Sequence, residues 1–284
     1  MRSGLYFQPY EAPVPGRWVR ELSLDYASVI EYNRLTLADY VLDAEILRFS
    51  AGLRRDLSRH VFLAVNAGIG GAYGGFLDGF LNWYHTILGI RMLEREHRPE
   101  NQFLYTITLP NGSSVKRASS DLFLEDTRLG LGIRYNSLLQ TVFSVTLPTS
   151  TAPDGYGRGV PSYGLLNTLR MQLDPRMVYE GSLGLGYTRA HGDFLAYQRE
   201  SFVSATSGLR LRVWGRHSLF ANVFYHSPSY TGTTLPSLDR KELSLDFGWI
   251  LRTHRGREWR IGMTEDLQPG GPTVDLIFRF GRTF

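Results

Sequence analysis

Apolar and polar residues alternate with period two along most of the chain. The clearest stretch sets Leu243, Leu245, Phe247, Trp249 and Leu251 against Glu242, Ser244, Asp246, Gly248, Ile250 and Arg252. One face is apolar and the other mostly polar, which is a strand lying between two different solvents. The same rule holds for Leu129, Leu131, Ile133 and Tyr135 against Arg128 and Arg134, and for Leu183, Leu185 and Tyr187 against Glu180 and Ser182. It holds again for Leu209, Leu211 and Val213 against Arg210 and Arg212, and for Leu276, Phe278 and Phe280 against Asp275 and Arg279.

Twelve segments follow this pattern, at 18–32, 41–55, 60–73, 126–135, 138–148, 164–173, 177–189, 200–214, 218–227, 241–253, 258–266 and 273–284. The second changes phase near Ile46–Leu47, which predicts a bulge. Their connections alternate in length. Short ones fall at Asp56–Arg59, Asn136–Ser137, Asp174–Arg176, Gly215–His217 and His254–Gly256. Longer ones fall at 33–40, 74–125, 149–163, 190–199 and 228–240, and the link 267–272 belongs to the same rim. Short turns on one rim and long loops on the other mark an outer-membrane barrel. The predicted fold is therefore all-β: one transmembrane antiparallel β-barrel of about twelve strands spanning residues 1–284. A soluble sandwich would also expose a charged face; closure and loop asymmetry favour the barrel.

Composition agrees. Aromatic residues make up 13% and Gly numbers 30, which suits short turns and aromatic girdles. There is no Cys, which removes disulfides, thiolate metal sites and a cysteine nucleophile. The net charge of +4 is spread along the chain without a basic run, so nucleic acid is not expected as a partner. No apolar run is long enough for a membrane-crossing helix. Export to the bacterial outer membrane needs a signal peptide; none is legible at the N-terminus, so it is expected to have been removed. Phe278, Phe280 and Phe284 form an aromatic row like the terminal strand recognised by barrel-assembly machinery, with Arg282 placed to snorkel towards headgroups. The other expected partner is outer-membrane lipid.

Residues 74–125 are too long for a simple connection. After Gly74–Gly75, apolar residues fall at helical spacing through Leu88, with Asp78, Asn82 and His85 as a polar line, predicting a short amphipathic helix stopped at Gly89. A charged stretch follows, then a hairpin over Phe103–Leu109 with its turn at Pro110–Gly112. The stretch GGFLDGFLNWYH (74–85), the charged segment and hairpin after it, and YHSPSY (225–230) resemble a bacterial domain-of-unknown-function family. The resemblance implies an exported, β-rich outer-membrane protein and supplies no activity. Two placements of the helix remain open: packed on the rim or outer leaflet, or folded over the lumen as a plug. Phe76, Asp78, Phe80, Asn82, Trp83 and His85 are its gating or contact candidates.

The lumen-lining candidates are Arg128, Arg134, Glu180, Arg210, Arg212, Glu242, Asp246, Arg252, Arg260, Asp275 and Arg279. Arg outnumbers carboxylate among them, which predicts a slight anion preference in an open pore. His226 and Ser227 invite comparison with a lipolytic His/Ser pair, but alternation puts them on opposite faces. The seven His show no metal-ligand spacing, and the glycine runs lack the helix that a phosphate loop needs. No cofactor and no catalytic residue are expected. Residues 149–164 read as a mobile external loop. The expected function is a channel or transporter, narrowed by 74–125. The second reading is a non-transporting barrel that binds an envelope protein partner, and the third a lipid hydrolase.

Overall fold

The computed structural model describes residues 15–35, 38–88, 99–153, 156–157, 159–192, 194–254, 257–267 and 276–283. Chain order runs β1 (Trp18–Arg34), β2 (Asp39–Asp56), β3 (Val61–Tyr73), α1 (Asp78–Leu88), β4 (Leu104–Thr108), β5 (Ser114–Arg117) and β6 (Ser120–Leu124). It continues through β7 (Thr127–Arg134), β8 (Leu139–Leu147), β9 (Ser162–Gln172), β10 (Met177–Thr188), β11 (Ser201–Trp214) and β12 (His217–His226). The last elements are α2 (Pro236–Asp239), β13 (Glu242–Arg252), β14 (Glu258–Asp266) and β15 (Leu276–Thr283).

Twelve of these strands close a ring: β1, β2, β3 and β7 to β15, each antiparallel to its neighbours, with β15 pairing back onto β1. Closure leaves no open edge in the twelve-strand ring, so its backbone ladder is satisfied without water. Strand ends agree with the sequence pattern to within two residues except in the last segment. Of the last, 273–275 and Phe284 lie outside the described residues.

The pleat separates two solvents. Leu183 and Leu185 on β10, Leu209 and Leu211 on β11, Leu219 and Val223 on β12 and Trp249 on β13 are exposed and share the outward face. Their neighbours in the chain, such as Glu180, Arg210, Asn222 and Ser244, turn inward and are buried. An apolar exterior around a polar interior is the inverse of a soluble barrel, and it is the arrangement a bilayer selects. No described helix is long and apolar enough to cross a membrane, which says nothing of crossing by strands.

Two expectations about the second segment are corrected. The ladder between β1 and β2 runs from Trp18↔Arg55 to Arg34↔Asp39 without a shift, so there is no bulge at Ile46–Leu47. The pattern only looks phase-shifted there, because Asp43 and Glu45 face outward while Leu42, Ala44 and Ile46 face the lumen. The connection taken as 33–40 is also shorter, since the strands extend to Arg34 and from Asp39.

The latter part of the long segment 74–125 is wall. Tyr73 pairs with Glu45, and Leu104 pairs with Asp43 only two rungs on, so β4 continues the line of β3 along β2. β6 likewise continues the line of β7 along β3. The true excursion is the piece between Tyr73 and Leu104, which carries α1; its residues 89–98 lie outside the described set. The β4–β5 hairpin therefore stands as a raised section of barrel wall.

Candidate functional site: the lumen and its mouth

At the end nearest the short turns the lumen is lined by ion pairs. Arg134 is 2% exposed and donates to Asp56 at 2.7 Å, while Arg54 approaches the same carboxylate at 3.4 Å. Both guanidiniums lie over the Phe62 ring, at 4.4 Å and 5.5 Å. Phe62 lies flat on the wall because its ladder partner is Gly132, where any Cβ would overlap the ring. On the opposite wall Arg210 grips Glu258 through two hydrogen bonds of 2.8 Å and 3.2 Å, and Arg252 reaches the same carboxylate at 3.1 Å. Arg170 faces Glu180 at 3.6 Å, and Arg260 lies over Phe220 at 5.4 Å. Bidentate and shared pairs of this kind hold shape in a low-dielectric interior.

The register puts the sequence's lumen candidates on inward positions. Arg128, Arg134, Glu180, Arg210, Glu242, Asp246, Arg252 and Arg260 all alternate with the exposed apolar residues, and position 279 pairs with Asp25 on the luminal side. Arg212 also takes the luminal register but is exposed at the short-turn rim. Asp275 lies outside the described residues. Asp56, Glu125 and Glu258, absent from the candidate set, also face the lumen and each binds an Arg, and Arg48, Arg54 and Arg170 join the inward guanidiniums.

Higher in the barrel the lumen changes character. Asp246 accepts from Thr264 at 3.2 Å and Asn222 at 3.4 Å, and Arg48 meets Glu125 at 2.7 Å. Above them Ala27, Val29 and Ile46 form an apolar patch with Leu42 and Ile277. His226 stacks on Phe202 at 5.1 Å on the luminal face. Ser227 accepts the Val203 amide at 2.9 Å, so its hydroxyl closes a strand end instead of meeting the imidazole.

A hydrophobic core packs at the mouth. Tyr40 and Ala38 from the top of β2, Ile107 and Leu109 from β4 and its turn, and Val115 from β5 pack against Phe194, Leu235 and Leu238. The last three come from the β10–β11 and β12–β13 loops, on the far side of the ring from β3. Leu42 touches both this core and the luminal patch, so apolar surface runs from the mouth into the barrel. The two loops are laced together by the bridge Gln198↔Tyr230 and by amide bonds from Arg199 to Ser229 and from Thr231 to Tyr197, both 2.9 Å. Asp239 accepts from the Thr233 and Thr234 amides and the Thr233 hydroxyl, which fixes the turn entering α2. Asn33 at the top of β1 donates to Ser237.

The β8–β9 loop joins the cap. The Tyr156 ring packs on Tyr105 and Phe123, and its hydroxyl donates to the Ala118 carbonyl at 2.8 Å. Thr149, Ser150 and Thr151 are bonded to the β6–β7 junction. The loop read as mobile is thus tied at several points.

Helix α1 lies outside the barrel, which corrects the plug reading. Phe80 packs on Phe278, whose face is lipid-directed, and Phe76 stacks on Tyr26 at 5.4 Å. The helix covers an unusual group: Glu45 faces outward yet is 2% exposed. Its carboxylate accepts from the Tyr26 hydroxyl and the Leu77 amide. The polar line of the helix is satisfied by the chain that follows. Asp78 accepts the Asn101 amide at 2.7 Å and Asn82 donates to Glu100 at 2.9 Å. The side chain of His85 lies outside the described residues. Phe76 and Trp83 are 70% and 60% exposed, continuing the apolar belt of the wall.

Gly75 makes this docking possible. Its φ is +62°, and a Cβ there would overlap the Glu45 carboxylate. Gly75→Val is therefore expected to detach α1 while leaving the barrel closed. Trypsin cleavage after the Arg residues between 91 and 98 would accelerate several-fold, with unchanged heat-shifted gel mobility; an unchanged digestion rate would contradict this docking.

On the outer face, Phe278 and Phe280 point towards lipid, and Arg282 lies over Trp259 at 4.1 Å. Phe284 is outside the described residues. Sequence reasoning missed the residues of the cap, because Leu235, Leu238 and Phe194 sit singly in loops without periodicity. The one available signal was local: Pro236 followed by Asp239 after a turn-rich stretch.

Comparison with known proteins places this geometry. Among solved structures, an outer membrane channel from Pseudomonas putida F1 superposes with a TM-score of 0.59 at 12% identity, covering 100% of both chains. The NanC porin gives 0.49 at 6% identity, covering 93% of this chain and 98% of that one. The toluene transporter TbuX of Ralstonia pickettii gives 0.46 at 8% identity, covering 95% and 89%. No curated protein matches the chain in sequence. Residues 22–284 match a family described as a protein of unknown function, DUF3187. A twelve-stranded barrel of outer-membrane type, with an apolar cap over a charged lumen, is thus what this chain presents as a member of the DUF3187 family.

Proposed function

We propose that the chain is a gated outer-membrane conduit for small molecules with an apolar body and a polar end. The observation that carries this reading is the continuous apolar surface from the mouth core through Leu42 to the patch of Ala27, Val29 and Ile46, above a lumen of ion pairs. A cargo entering from the long-loop side meets packed apolar side chains first and hydrogen-bonding groups second. Burial of its apolar part offsets displacement of cap residues, at roughly 25 cal/mol per Å². The polar floor then offers partners to its other end. The cap is built from loops, whose local opening costs less than breaking the wall's ladder.

This deepens the channel reading and keeps the gate within 74–125: the part of that segment at the mouth is the β4–β5 hairpin, joined there by three loops, and α1 takes no part. Efflux from proteoliposomes tests the cargo class. Phenyl glucoside should leave faster than lactose, although both are neutral and carry a sugar. Equal rates, or faster lactose, would count against an apolar entry.

A further inference from the structure

A cavity of about 410 Å³ opens on the short-turn rim, between the β11–β12 and β13–β14 turns. Most of its lining is on the outer side of the wall or in the two turns, while Arg252 enters from the luminal register at the rim. Trp214, His217 and Leu251 are successive ladder partners, and Leu211, Leu219 and Trp249 form the next outward rung. His217 stacks against two indoles, with ring centroids 5.0 Å from Trp214 and 5.1 Å from Trp249, which are themselves 6.5 Å apart. Its Nδ1 is buried and finds no hydrogen-bond partner among the described residues.

The rest of the lining is cationic. Arg216, Arg252 and His254 contribute to it, and no carboxylate does. Arg216 donates to the His254 imidazole, and Arg252 gives one edge to Glu258 while 53% of its side chain stays exposed. The Arg216 and Arg252 guanidiniums in one lining, beside an imidazole nitrogen that can carry a proton, offer donors to an anionic acceptor. The aromatic wall above them asks for an apolar chain. Both demands meet at one depth, where a barrel's aromatic girdle reaches the headgroups.

We propose that this cavity binds the phosphate of a glycerophospholipid, preferring a net-anionic headgroup, with one acyl chain along Leu219 and Trp249. A soluble acidic peptide would not satisfy the geometry, because the stacked aromatics face the membrane side of the wall. The site is independent of whether the lumen conducts.

The test uses the full chain refolded in dodecyl maltoside and reads tryptophan emission. The probes are dioctanoyl-phosphatidylglycerol, dioctanoyl-phosphatidylcholine and inorganic phosphate. The glycerol lipid should give a saturable change, the choline lipid a several-fold weaker one, and phosphate none at the same concentration. The double variant Arg216→Gln, His254→Gln should weaken the glycerol lipid by about five-fold or more, at ~5-fold per basic side chain. Arg55→Gln is the control. Arg55 lies over Trp18 at 5.2 Å on the same rim but outside the cavity, and its loss should leave binding unchanged. Equal saturation by inorganic phosphate would make this a free-anion site and overturn the lipid assignment. Equal weakening by Arg55→Gln, or no saturation with any probe, would also overturn it.

Discussion

A Leu235→Asp variant is expected to conduct ions where the native chain stays mostly closed. Leu235 is fully buried between the raised β4–β5 wall and the loops that reach it from the other side. An Asp there loses the roughly 2 kcal/mol of a buried Leu and adds a carboxylate without a counter-ion. Together these exceed several kcal/mol, and each 1.4 kcal/mol is about tenfold in an equilibrium. The penalty falls on the cap alone, since Leu235 makes no ladder bond with the wall. The variant therefore relieves itself by opening, and the barrel stays folded. In planar bilayers its open probability should rise at least about tenfold over the native chain. A folded variant as silent as the native chain would mean that the cap is not the barrier. Leu238→Ala, which leaves a cavity without a charge, should act in the same direction and less strongly.

The second large effect concerns stability. Asp56 has no exposed surface and accepts from Arg134, whose Nε and Nη1 have no other hydrogen-bond partner among the described residues. Asp56→Leu strands that guanidinium inside the barrel with only the Phe62 ring beneath it. The expected loss is about 3–5 kcal/mol, measured as a lower urea midpoint of the refolded chain. Adding Arg134→Leu removes one of the two guanidiniums that share Asp56 and should recover part of it, the remainder staying with Arg54, which approaches the same carboxylate at 3.4 Å. Failure of the double variant to recover would show that the pair specifies the wall's geometry as well as balancing charge.

Period-two alternation made the barrel legible before any coordinates. The wall has one solvent on each side, and that asymmetry must be written into alternate residues of β7, β10, β11 and β13. The rule misled only where the outer solvent is not lipid. Asp43 and Glu45 lie under the excursion that carries α1, so their outward positions read as a slip of register at Ile46–Leu47. The floor of the lumen was half legible. Arg134, Glu180 and Arg210 announced themselves by parity, while Asp56 was read as a turn residue and Glu258, first in its strand, was left out of the inward set. The cap was not legible at all. Phe194, Leu235 and Tyr230 come from loops separated in sequence from β4, and nothing local encodes which wall they cross to meet. The helix was read correctly as an element, but its side of the wall depended on Gly75 and Glu45, thirty positions apart.

The absence of cysteine in the native chain allows the gate to be tested without background. Asn33 at the top of β1 contacts Ser237 in the cap, so an Asn33→Cys, Ser237→Cys pair can clamp cap to wall. Single-channel recording of this variant under oxidising and then reducing conditions is the most direct measurement. A cap that gates the lumen predicts silence when the pair is oxidised and openings when it is reduced. Openings of the same size and frequency in both states, with the disulfide shown to have formed, would contradict it.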